Sequence, residues 1–152
     1  MTDAVADDVE AIRALIARQF ASLSWQVGET PDLETFRGDF VENALLFASA
    51  RPVRAQTVDE FSQRMQGLCG TTLKSFVEAV TGTRIMVFGN VAMAAVACEN
   101  LENSDTISRN VEMILLVKDD GVWRIAAQAW DGEREGLPVA SGLQGAAWDR
   151  RG

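Results

Sequence analysis

Residues 106–131, TISRNVEMILLVKDDGVWRIAAQAWD, hold two apolar runs separated by Asp119, Asp120 and Gly121. An Asp-Gly step between such runs is a strong short-range hairpin signal, because Gly accepts the positive φ that a tight turn needs. Trp123 and Ile125 alternate with Arg124, the period of a half-buried strand. This hairpin decides the fold class, and it decides which side chains share a face.

Working upstream, residues 91–100 read as a strand of small apolar side chains, joined to the hairpin by a polar turn at 103–106. Residues 73–88 form one long bent strand or two short ones, with breaks near Gly82 and Gly89. Earlier still the period changes. Val9, Ile12, Ile16, Leu23 and Val27, widened by Leu15 and Phe20, form one long amphipathic stripe that Gly28 and Pro31 end. A second helix fits 33–41, followed by a short strand at 44–48. Thr57 and Glu60 have the spacing of a capping box for a third helix, with Phe61, Met65 and Leu68 on its buried side. Helices followed by a run of antiparallel strands indicate an α+β fold, with the helices on one face of a curved sheet.

The chain has 152 residues, which suits one domain with a sizeable core. That domain is expected over 1–132, with 133–152 as a loosely ordered tail that Leu137, Leu143 and Trp148 could dock. A net charge of −8 without a basic patch disfavours nucleic acid. No apolar run is long enough for a bilayer, so no membrane partner is expected. The acidic start MTDAVADDVE lacks the pattern of a secretory signal, and the cytoplasm is the expected compartment. Cys69 and Cys98 are isolated and read as small buried residues. The chain has no His, so no metal site is expected, and no cofactor is implied. It also has no Tyr, which removes more of the usual acid–base repertoire.

With Asp120-Gly121 as a two-residue loop, Lys118 opposes Trp123, Leu116 opposes Ile125, Glu112 opposes Ala129 and Asn110 opposes Asp131. With a Ser104-Asp105 turn, Ala97 opposes Glu112 and Glu99 opposes Asn110. One face then carries Glu99, Asn110, Glu112 and Asp131 among Ala95, Ala97, Ala127 and Ala129. The other face carries Val111, Met113, Leu115, Val117 and Trp130. Carboxylates crowded in a partly buried space cannot all stay ionised, so at least one should hold its proton beside an ionised neighbour. Such a pair can perform acid–base chemistry. Glu112 and Asp131 are therefore the candidate catalytic pair, and Glu99 and Asn110 are candidate ligand contacts.

The long first helix, LETFRGDFVENALLF (33–47), the helix from Thr57 and KDDGVWRIAAQAW (118–130) together resemble the nuclear transport factor 2-like superfamily. The likeness spans roughly residues 9–131. This is the cone-shaped fold shared with steroid isomerases and polyketide cyclases. The resemblance implies three N-terminal helices packed on the concave face of the sheet. It places the carboxylate-bearing face inside the cone, and it adds Trp25 and Asp39 as candidates near the cavity. It also implies a homodimer through the outer sheet face, whose apolar character a second copy would cover. Many relatives place His at positions matching Ala127 and Ala129, and steroid isomerases use a Tyr hydroxyl absent here. The expected function is therefore binding of a small, mostly apolar molecule. An acid–base isomerase, cyclase or dehydratase using the cavity carboxylates is the first alternative, and a non-catalytic dimerisation or partner-binding module is the second.

Overall fold

The computed structural model describes residues 3–139 and Leu143. The elements run α1 (Asp3–Leu23), α2 (Leu33–Gly38), β1 (Phe40–Phe47), β2 (Ala55–Thr57), α3 (Val58–Leu68), β3 (Phe76–Phe88), β4 (Val91–Glu102), β5 (Thr106–Asp119) and β6 (Val122–Gly132). The six strands form one sheet in the order β2-β1-β6-β5-β4-β3. All neighbours are antiparallel except β1 and β6, which run parallel. A mostly antiparallel sheet with separate helices gives the α+β class expected from the sequence, although β1 and β2 precede α3.

In α1, Ile12, Leu15, Ile16, Phe20 and Leu23 are buried, as their spacing requires. They pack on Ala94, Val96, Ile114, Leu116 and Ile125 from the sheet, in one continuous core. Near its N-terminal end, Asp8 accepts from Trp123 Nε1 (2.9 Å) and Lys118 Nζ (3.0 Å), which ties the helix to β5 and β6. The helix stops at Leu23, before the expected Val27. Trp25 leaves it to exchange backbone hydrogen bonds with Phe76. Tertiary pairing here outcompetes continued helix. The Trp25 ring lies in the core against Phe76, and its Nε1 donates to the Leu73 carbonyl at 3.2 Å.

The second helix is shorter than predicted. Gly38 is a poor helix former, and the Asp39 carbonyl accepts the Ile125 amide at 2.8 Å, which starts β1 beside β6. At α3 the capping box is present: Thr57 Oγ1 accepts from the Glu60 amide, and the Glu60 carboxylate accepts from the Thr57 amide. Removing such a cap costs about 1 kcal/mol.

Three register features set which residues face the core. On β6, Leu116 opposes Ile125 but Leu115 opposes Ala127, so Ala126 is an extra, bulged residue. On β3, Val80 opposes Cys98 but Gly82 opposes Ala97, which makes Thr81 a second bulge. Each bulge flips the facing of every residue beyond it. Between β4 and β5 the loop has three residues rather than two, since Glu102 opposes Thr106. Asn103 and Ser104 there adopt positive φ (53° and 66°). The Asn103 side chain fixes this loop by accepting from the Lys74 amide (2.7 Å) and donating to the Thr72 carbonyl (3.2 Å).

Candidate functional site

A cavity of about 440 Å³ opens between α1, α3 and the inner face of the sheet. Phe20, Phe36, Phe61, Met65, Phe76 and Trp130 supply its apolar wall. Phe61 meets Trp130 edge-on at 5.7 Å and Phe36 at 5.6 Å. Gln19, Glu78, Asn110, Glu112 and Gln128 supply the polar wall. Arg64, Arg109, Glu102 and Glu133 are also part of the lining, and Arg109 is held by Glu99 (3.0 Å) and Glu133 (3.5 Å).

Glu112 lies at the centre of the polar wall. It is 7% exposed, and Gln128 Nε2 donates to its Oε1 in a short hydrogen bond. Asn110 Nδ2 donates to Oε2 at 3.4 Å, with the Cys98 thiol 3.7 Å from the same oxygen. Behind Gln128, its Oε1 accepts from Gln19 Nε2 at 2.7 Å. Asn110 Oδ1 in turn accepts from Asn100 (2.6 Å) and Cys98 (3.0 Å). Gln19 Oε1 is buried and has no partner among the described residues.

Glu78 reaches the same place from β3. Carboxylate oxygens of Glu78 and Glu112 and the Cys98 sulfur lie within 4.8 Å of one another. Burial, and then the charge of Glu112, push the Glu78 carboxyl well above its ordinary value. Burial also raises Glu112, against the lowering effect of its Gln128, Asn110 and Cys98 hydrogen bonds. Two such groups hold one proton between them more readily than they both ionise. The Cys98 thiol is pushed up by burial and by the two carboxylates, so it is a protonated donor.

The expected site is therefore regrouped. Glu112 and Asn110 face the cavity as predicted. Asp131 does not. The Ala126 bulge turns it to the outer face, where Arg134 bonds it at 2.8 Å and holds its carboxyl below the usual range. Ala127 and Ala129 turn outward with it, while Gln128 and Trp130 turn in. Glu99 is also outside, opposite Arg109, because the three-residue loop shifts β4 by one. Ala95 and Ala97 face outward for the same reason, and Val96 and Cys98 face the core. Trp25 is a core residue and not part of the cavity lining. Asp39 is buried beside Arg18 at 2.6 Å, away from the cavity lining. Burial raises its carboxyl and Arg18 opposes that rise.

Sequence reasoning missed Glu78 and Gln128. Gly82 marked a break in β3, and reading it as a face-switching bulge would have brought Glu78 inward. The run Ala126-Ala127 gave a weaker cue for the β6 bulge. Cys98, Glu78 and Glu112 also form a candidate three-ligand cluster, although the sequence had implied no metal site. Two carboxylates and one thiol fit a divalent ion in donor type.

Sequence comparison finds no matching protein-family model and no matching curated protein. Comparison with solved structures defines the class: the chain has the nuclear transport factor 2-like, or cystatin-like, α+β fold. A protein from Novosphingobium aromaticivorans, provisionally assigned as a scytalone dehydratase, superposes with a TM-score of 0.73 at 16% identity, over 88% of this chain and 89% of that one. A nuclear transport factor 2-like protein of unknown function from Silicibacter pomeroyi gives 0.63 at 16% identity, over 88% and 100%. A cystatin-like protein of unknown function from Nostoc punctiforme gives 0.68 at 17% identity, over 89% and 97%.

Proposed function

We propose that the protein binds a small, mostly apolar molecule in this cavity, with one polar group of the ligand set against Glu78 and Glu112. The observation that carries the reading is the division of the cavity into an aromatic wall and one carboxylate-bearing wall. Binding pockets for small molecules are commonly mostly apolar, with a few converging polar groups that fix orientation. Calorimetric titration with small aromatic compounds is the test. Binding should be lost when Phe61→Asp places a charge in the aromatic wall. A chain that binds none of them, or binds them equally after that change, would not use the cavity.

A second reading has its own support. A protonated and an ionised carboxyl side by side are the parts of an acid–base catalyst, and Glu78 takes the place first expected for Asp131. Isomerisation or dehydration is the fitting reaction type, and the structural neighbour assigned to dehydration is consistent with it. We also propose a homodimer through the outer sheet face. Met86, Met93 and Leu115 lie in one cross-strand row there, at 66%, 44% and 51% exposure. The net charge of −8 argues against nucleic acid as a partner. Among the described residues no helix is long and apolar enough to cross a membrane, and both cysteines are free. A cytoplasmic location fits those free thiols.

A further inference from the structure

The polar wall holds two carboxylates and one unpartnered amide oxygen, and no cationic side chain pairs with them among the described residues. Gln19, Gln128, Asn110 and Asn100 each direct an amide N–H at another member of the wall. The Cys98 thiol is used on Asn110. Among the acceptors, Gln19 Oε1 is buried without a partner among the described residues, and no side-chain hydrogen bond acts on the Glu78 carboxyl. Burial and the charge of Glu112 act on Glu78, with no donor offsetting them. The arginines in the lining do not answer this demand: Arg64 is exposed, and Arg109 is engaged by Glu99 and Glu133.

We infer that the cavity takes a molecule whose apolar body ends in a protonated amine, with the ammonium seated between Glu78 and Glu112. This rests on the small-molecule reading above and names its ligand class. An ammonium offers a positive charge and three donors, which two carboxylates and an unpartnered amide oxygen can receive. Two N–H···O bonds of about 2.8 Å from one tetrahedral nitrogen place their acceptors about 4.6 Å apart. That span fits within the 4.8 Å that bounds the Glu78–Glu112–Cys98 group. The aromatic wall suits the other end of such a molecule, and a ring face also attracts a cation. A bare divalent ion is the competing cation. It would leave the 440 Å³ cavity and its aromatic wall unfilled.

The test is calorimetric titration of the full chain with two matched pairs, 2-phenylethylamine with 2-phenylethanol and 4-phenylbutylamine with 4-phenylbutanol, and with zinc chloride alone. At least one amine should bind about tenfold or more tightly than its alcohol. Glu78→Gln and Glu112→Gln should each remove about tenfold or more of amine affinity while changing alcohol affinity less than about twofold. Glu10→Gln, exposed on α1 and outside the cavity lining, should change neither. Thermal melting of each variant establishes that it is folded. Alcohols that bind as well as amines would overturn the ammonium assignment and leave the cavity reading intact. Amine binding unaffected by both Gln variants would do the same. Absence of all four compounds from the cavity would overturn both readings. Zinc bound one-to-one and lost in Cys98→Ser, with no amine preference, would replace the ammonium by a metal ion.

Discussion

Glu112 receives hydrogen bonds from Gln128 and Asn110, with the Cys98 thiol close by, yet burial still raises its carboxyl. Glu78 is raised as well, and lacks such donors. Both groups return to an ordinary value near 4.5 on unfolding. Below that pH both states carry the protons. Above it the folded state still holds a proton that the unfolded chain has lost, so stability falls as pH rises through the folded values. Replacing Glu112 by Gln removes one of the opposed charges at every pH. Thermal melting at about pH 5 and about pH 8 should therefore show the Glu112→Gln difference moving in the variant's favour at the higher pH. A pH-independent difference would mean the two carboxyls do not interact. At this scale the sequence was partly legible. Asn110 and Glu112 alternate in an uninterrupted strand, so their shared face could be read. Glu99 and Asp131 lay beyond a loop and a bulge, and parity failed at both.

Ala126 shows how much one element can reorganise. The hairpin, its turn and the pairs nearest that turn, Lys118 with Trp123 and Leu116 with Ile125, were evident from DDG and the flanking apolar runs. The extra residue lies only one pair further along, in a run of alanines whose side chains do not disclose their facing. Deleting Ala126 would restore unbroken alternation and turn Gln128 and Trp130 away from the cavity. Glu112 would lose its short hydrogen bond, and Phe61 would lose its edge-on neighbour. Loss of a buried aromatic and of a buried acceptor's partner should cost about 3–5 kcal/mol in urea unfolding. A deletion that leaves stability unchanged would show that the bulge does not determine facing. The helix boundaries failed for a related reason. Periodicity carried the first stripe to Val27, but Trp25 pairs with Phe76, a partner distant in sequence.

Across the molecule, the outer sheet face has two different surfaces. Around Ala95 and Ala97 the chain covers itself, because Leu143 packs there at 8% exposure beside Val111 and Val139. Toward Met86, Met93, Met113 and Leu115 the apolar surface is open. A chain of 16.5 kDa that pairs through that surface should scatter light as a particle of twice that mass at micromolar concentration. Met93→Lys with Leu115→Lys should return it to single chains without changing its fold. Single chains in the unsubstituted protein would remove the dimer. The apolar character of this face was readable from Met113 and Leu115, because β5 alternates without interruption. Leu143 was legible as a residue able to dock the tail, but its place was not, since nothing local in a Gly- and Ala-rich segment specifies where it packs; Trp148 lies outside the described residues.

Trp130 also makes the cavity optically addressable. The chain contains four tryptophans and no tyrosine, so indole dominates its near-ultraviolet emission. Trp25 is sealed in the core, and Trp123 is held by Asp8. Trp130 borders the cavity, where an arriving molecule would displace water from its ring. Occupancy can thus be followed as a change in intrinsic fluorescence, without a label or a known reaction. Comparing Trp130→Phe with the parent chain would separate that signal from the emission of the other indoles.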